Sequence, residues 1–509
     1  MRHPAARVLL AAALLAGCAA PRGRARPTPD ATPAPAPLVR LLLVNDVYVT
    51  DTLRDGTGGI ARVAAFHHQL EREGRVLFLL AGDVLSPSLL SKWYAGRQMV
   101  DGFNAARLDY ATFGNHEFEL PRDSLLARTG ESRFRWLSAN CGLADGAPFP
   151  GVPAWDTVTV AGTRVALLGV TLQGLYRSHV RCTEPMDAAR RAAAEARAAG
   201  AELVVALTHQ YVADDSLLLA RVPGIDLVLG GHEHHAHDVT SAGRRVLKAD
   251  ANARSAQLVE VRRAGDRWAV SARVERMDAG RPVDAPTQAA VDRWRDSLRR
   301  RLGPERAVAI SPAPLDARDA FSRSNESALG DLVTDALRLG TGADVAVINS
   351  GALRLNDVLP AGPITNYQIE SIFLFADETR VVTFPVTGVR LRALLEHGVS
   401  ERSYGHGAFL QLSGARIRFD LARPSGERIV GDVRRDDGRP FAPADTLRLT
   451  MPAYPACLGG DGYVVPEAAV ACRTVAAAPR TVDLLLAHVT GRLGGRIEPS
   501  ADTRVVRVR

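Results

Sequence analysis

Five short apolar runs in this chain end in the same way. "RLLLVND" stops at Asp46, "VLFLLAGD" at Asp83, "YATFGNHE" at Asn115 and His116, "ELVVALTH" at His209, and "DLVLGGHEH" at His232 and His234. Continuous apolar runs of this length are the pattern of strands buried on both faces. Helical stretches separate them, among them 59–73 and 185–199. Strands alternating with helices build an α/β layered fold. Ligands of such folds collect at the carboxyl ends of the strands. The pattern therefore predicts that five loops deliver polar groups to one sheet edge.

Carboxylates, an amide oxygen and imidazoles form the mixed nitrogen and oxygen set that suits divalent transition metals, and no thiolate joins them. A two-metal centre with ions roughly 3.5–4 Å apart needs a bridging carboxylate and several neutral imidazoles. Asp46, Asp83, Asn115, His209, His232 and His234 could supply it. In "GGHEHHAH" the glycines allow a sharp turn, and an extended segment would face His232 and His234 the same way. His67 and His68 fall on an expected helix, and His235 and His237 on a loop; these read as structural or solvated.

The 509 residues exceed what one core holds, so two domains are expected. From about residue 303 the pattern changes. "ESALGDLVTDALR" is an amphipathic helix with Ala328, Leu329, Leu332, Val333 and Leu337 on one stripe. "ADVAVINSGALR" is a strand entering a glycine turn. The charged stretch 285–304 reads as a helical connector. Several arginines behind the formal charge of +7 lie in the first 26 positions. The basic balance is thus no argument for a nucleic-acid polymer as partner, and none is expected.

Residues 1–17 carry Arg2, His3 and Arg7 ahead of the apolar run Val8 to Ala16, too short to span a bilayer. This is the form of a secretory signal peptide. "LAGC" closes it and resembles a bacterial lipobox, which makes Cys18 the lipidated first residue of the mature chain. Ala19 after it favours the outer membrane, facing the periplasm, with the lipid as the only membrane contact. The Pro-rich segment 18–37 would be an extended tether. Cys141, Cys182, Cys457 and Cys472 remain, in an oxidising compartment. Three connectivities are possible; Cys141–Cys182 with Cys457–Cys472 is favoured because each pair then stays within one domain.

The ordered series D…GD…GNHE…TH…GGHxH resembles the calcineurin-like metallophosphatases, and the second half resembles the C-terminal domain of bacterial 5′-nucleotidases and UDP-sugar hydrolases. The resemblance runs from about residue 38 onward. It implies a four-layer α/β/β/α metallophosphatase domain over 38–284, the linker helix 285–304, and an α/β substrate-binding domain over 305–509. It implies two divalent ions, with Mn, Zn, Fe and Co not distinguishable. Asp83 would bridge them, Asp46 and His234 would complete the first site, and Asn115, His209 and His232 the second. His116 would stabilise charge on the phosphoryl and leaving oxygens, oriented by Glu119, which replaces the family's Asp. Tyr48 stands where the family has a histidine ligand. The expectation is that it fills space, that water takes the position, and that the first site is looser.

In the second half, "INSGALR" resembles the family's "NGGGIR" turn, which implies Asn349 near substrate and Arg354 on phosphate. "ERSYGHGAFLQLSG" and "GGDGY" imply Arg402 as a second cation and Phe409 with Tyr463 as an aromatic sandwich for a base. The expected activity is a 5′-nucleotidase in which hydroxide activated by the metals attacks phosphorus in line. The alternatives are a cyclic-nucleotide phosphodiesterase, a UDP-sugar pyrophosphohydrolase, a sulfur-compound hydrolase, or a non-catalytic nucleotide-binding envelope lipoprotein.

Overall fold

The computed structural model describes residues 38–174, 178–355, 357–375, 380–498 and 503–509. The leader, Cys18 and the Pro-rich segment lie outside the described residues.

The apolar runs form the inner strands of two six-stranded sheets. In the first, Leu38–Val44, Val76–Ala81, Tyr110–Thr112 and Arg135–Leu137 run parallel, and the hairpin Ser255–Ala264 and Arg267–Arg276 closes one edge antiparallel. In the second, Arg244–Lys248, Leu227–Gly231, Leu203–His209 and Thr163–Thr171 run parallel between two antiparallel edge strands.

Period-two alternation then fixes the layers. Leu42, Val44, Phe78 and Leu80 pack on Val63, Ala64 and Phe66 of the helix Ile60–Glu71. Leu41, Leu43, Leu77 and Leu79 turn the other way and meet Leu167, Val205, Leu207 and Leu229 of the second sheet. The outer face of that sheet, with Ala166, Val204 and Val228, is covered by Ala189, Ala192 and Ala196 of the helix Pro185–Ala198. The result is α/β/β/α. Strands buried on both faces cannot alternate polar with apolar, which is why the runs are continuous.

The helix Ala285–Leu302 follows. Asp284 caps it by accepting from the Thr287 amide, and Gly303 ends it. Beyond it, a mixed sheet in the order Val381–Thr387, Thr446–Pro452, Val345–Asn349, Leu410–Ser413 carries the second half. The helix Ala328–Thr341 packs Leu329, Val333 and Leu337 beneath it. The halves touch through a nearly buried ion pair, Lys92 Nζ to Glu370 Oε2 at 2.7 Å.

Two disulfides form, Cys141–Cys182 and Cys457–Cys472. The first joins directly opposed residues of two short antiparallel strands. The second closes a 15-residue segment, and a loop of that size is worth about 3 kcal/mol through the unfolded chain. Cys472→Ser with Cys457→Ser is expected to lower unfolding free energy by that order in urea titrations.

Candidate active site

All five loops converge at the carboxyl ends of the parallel strands. Asp46 and Asp83 are fully buried, as is His209. Their ligand atoms lie within 4.8 Å of one another. His209 Nε2 is 3.2 Å from Asp83 Oδ2 and 3.9 Å from Asp46 Oδ1. Its Nδ1 sits 2.8 Å from the Ala81 carbonyl, which fixes Nδ1 as the protonated nitrogen and leaves Nε2 facing the carboxylates. His234 Nε2 is 3.3 Å from Asp46 Oδ1. The His232 ring stands 5.2 Å from that of His209.

His232 and His234 do not share a face of an extended segment. Both have positive φ, 94° and 65°, so the loop bends between them and sends them to different parts of the centre. Asp46 and Asp83 are also left-handed, at φ 53° and 56°. Such backbone is costly for residues with a Cβ, and it concentrates at functional sites. The close approach of the loops demands glycine at 114, where a Cβ would lie 2.0 Å from Asp83 Oδ1.

These residues fit a metal centre. Among the described residues neither carboxylate pairs with a lysine or arginine; imidazoles, Tyr48, the Asn45 side-chain amide and the backbone amides of His116 and His232 face them. Asn115 Oδ1 is buried with no hydrogen-bond partner among the described residues. Burial disfavours charge on His209, yet Asp83 and Asp46 outweigh it and push that imidazole up to about 10. Two buried anions therefore call for positive charge. Burial, with His209 adding to it, pushes His232 down to about 4, so its nitrogen keeps its lone pair at neutral pH.

His116 opens the single 3₁₀ turn His116–Glu119. Its Nδ1 is 2.6 Å from Glu119 Oε1, and Ser86 Oγ donates to the other Glu119 oxygen at 3.1 Å. The extra methylene of Glu119 is thus absorbed. On the far side Arg354, from the second half, lies 3.3 Å from His116 Nε2.

Asn349 is buried and donates Nδ2 to Asp461 Oδ2 at 2.8 Å. Ser350 is buried as well, and its hydroxyl donates to the Ser322 carbonyl, which is why serine replaces a glycine there.

Three expectations for the second half fail. Phe409 is fully buried against Tyr404 and Phe419 in the core. Tyr463 is 2% exposed and spends its hydroxyl on the Ala408 carbonyl. Neither ring offers a free face, so they form no base sandwich. The half-buried Phe375 instead stands beside Arg354, its ring centre 5.4 Å from the guanidinium. Arg402 is exposed on a turn that docks by backbone, Gly405 N–H to the Arg323 carbonyl. Arg323, partnered by Asp319, is an arginine whose field does reach Arg354 and Asp461.

Sequence reading also passed over Glu117 and Lys248. Glu117 is fully buried, and its carboxylate accepts from the amides of Asp83, Val84, Leu85 and Gly114, tying two metal loops together. An acid inside "GNHE" was its only signal. Lys248 is fully buried beneath the other two loops.

Fold and centre together define a metal-dependent phosphoester hydrolase. Residues 39–236 match the calcineurin-like phosphoesterase family and residues 308–467 the 5′-nucleotidase C-terminal domain. The chain belongs to the family that joins these two domains. It is 23% identical over 468 residues to snake venom 5′-nucleotidase of Naja atra, covering 81% of this chain and 86% of that protein. It is 25% identical over 462 residues to 5′-nucleotidase of Homo sapiens, covering 80% and 78%. Among solved structures it resembles a 5′-nucleotidase precursor from Thermus thermophilus, with TM-score 0.78, 25% identity, and coverage of 93% and 99%. The sulfate thiohydrolase SoxB of the same organism shares the fold, with TM-score 0.71, 19% identity, and coverage of 92% and 96%.

Proposed function

We propose that this chain is a 5′-nucleotidase that releases phosphate from nucleoside monophosphates, held at the bacterial envelope by a lipid on Cys18. The observation that carries the activity is the 3.3 Å approach of Arg354 to His116. It sets a phosphate-binding cation from one half against the catalytic group of the other. The lipid anchor rests on "LAGC" after the apolar run and on the Pro-rich segment behind it.

Asp46, Asp83, Asn115, His209, His232 and His234 would hold divalent ions, which would supply Lewis acidity and lower the pKa of water. The protein's own groups do the rest. Arg354 takes phosphoryl oxygens with its planar fork. His116, fixed by Glu119, stabilises charge on the departing oxygen. Asn349 and Asp461 line the approach from the second half, where Phe375 stands beside Arg354.

The test is phosphate release from a panel of nucleoside monophosphates, cyclic nucleotides, UDP-sugars and thiosulfate esters, with metals exchanged stepwise. Monophosphates are expected to be turned over fastest. Turnover confined to diesters, pyrophosphates or sulfur esters, or none at any metal loading, would overturn the proposal.

A further inference from the structure

Tyr48 does not merely fill space. Its hydroxyl oxygen is 3.0 Å from Asp83 Oδ2, 3.0 Å from His234 Nε2 and 3.4 Å from Asp46 Oδ1. Asp46 Oδ1 and His234 Nε2 are themselves 3.3 Å apart. With metal–ligand bonds of about 2.0–2.2 Å, neighbouring donors stand about 2.8–3.1 Å apart around an octahedral ion and about 3.3–3.6 Å around a tetrahedral one. The observed separations span that range. The Tyr48 oxygen thus stands at coordination spacing from all three neighbouring donors.

The ring is held for this. The Tyr48 amide donates to Asn252 Oδ1 at 3.0 Å, and the Asn252 amide donates back to the Asp46 carbonyl at 2.8 Å. Backbone at 46 and 48 is thus locked to one neighbouring turn, which fixes the point from which the ring reaches the carboxylates.

We infer that the Tyr48 oxygen is a direct ligand of the first metal position, in place of an imidazole or a water. On coordination the cation replaces the hydroxyl proton, which leaves to solvent. The donors are then three anionic oxygens and one imidazole. A set so rich in hard anions suits an oxygen-seeking ion such as manganese or ferric iron. The second position, with His209, His232 and Asn115, has more nitrogen and less charge, so the two positions differ in the ion they prefer.

This inference rests on the phosphohydrolase reading only through the presence of metal, and its test needs no substrate. Metal-free protein is titrated with Mn²⁺ and with Fe³⁺ while bound metal is counted per chain and absorbance is followed. In the native protein a tyrosinate difference band should rise with the first equivalent of Mn²⁺. Fe³⁺ should give a visible phenolate charge-transfer band. Tyr48→Phe keeps the ring and should lose both bands, together with at least tenfold in affinity at one position. Tyr48→His should restore the affinity without the bands. Equal metal content and affinity in native protein and Tyr48→Phe, or native protein with neither band, would overturn it. Absence of nucleotide turnover alongside both bands would sink the proposed activity and leave this inference standing.

Discussion

His116→Ala is expected to lower kcat by about 10²–10³-fold, the cost of removing one preorganised group aimed at developing charge, while metal content stays unchanged. Both halves of that result follow from geometry. The nearest His116 nitrogen to the carboxylates, Nε2, is 3.9 Å from Asp83 Oδ2, and Nδ1 is committed to Glu119 at 2.6 Å. What ties His116 to the centre is its backbone amide, which donates to Asp83 Oδ1 at 2.9 Å and survives the substitution. Arg354 approaches the ring at 3.3 Å, so substrate phosphate would meet a cation and an imidazole side by side. Glu119→Gln leaves an acceptor for Nδ1 but removes the charge that favours the protonated ring. Its expected loss is smaller, about 10–100-fold, as for other groups that orient a site from behind. Steady-state rates with bound metal measured on the same samples decide the matter. Loss of metal in parallel with rate would make His116 a ligand and refute the assignment.

The first half of this site was legible because its chemistry sits at the ends of strands. A buried parallel strand must be apolar throughout, so the first polar residue after it marks a loop at the sheet edge, and Asp46, Asp83 and His209 were readable in that way. For the bent loop the residue types were readable but the geometry was not. Positive φ at His232 and His234 is imposed by neighbouring loops and leaves no mark in residue spacing. The second half offered weaker signals. An aromatic in a glycine-rich stretch looks the same whether it faces ligand or core. Phe409 and Tyr463 went to the core because the strand Leu410–Ser413 pairs with Val345–Asn349 and draws the preceding turn inward. Arg402 and Arg323 are equally plain in sequence. Only the docking of one turn on the backbone of the other decides which stays near Arg354.

Lys248 is the extreme case of an unreadable residue. In "RRVLK" it ends a strand after two arginines and looks like surface, yet it is fully buried. Its ammonium donates to the Gln210 carbonyl at 2.7 Å, the Gly231 carbonyl at 2.7 Å and Glu233 Oε2 at 2.6 Å. Asp215 Oδ2 lies at 2.9 Å. Gln210 follows His209 directly, and Gly231 precedes His232, so one cation pins the two loops that carry three candidate ligands. Lys248→Met keeps the length of the side chain but leaves two carboxylates and two carbonyls facing an apolar group. Breaking a buried charge set from one side costs about 3–5 kcal/mol, and loops no longer pinned should bind metal about 10–100-fold more weakly. Lys248→Arg is not expected to rescue, because the ammonium already has four acceptors at 2.6–2.9 Å, which leaves no room for the larger guanidinium. Urea unfolding with and without Mn²⁺ separates the two effects: the midpoint without metal reports the broken charge set, and the metal-dependent gain, which grows as the logarithm of metal concentration over Kd, reports the loops. A variant within about 1 kcal/mol of the native protein would mean the four acceptors find water, since a satisfied group loses only the net worth of its hydrogen bonds. Lys248 would then be a solvated residue, and the two ligand loops would owe their positions to the strained backbone at 232 and 234 instead.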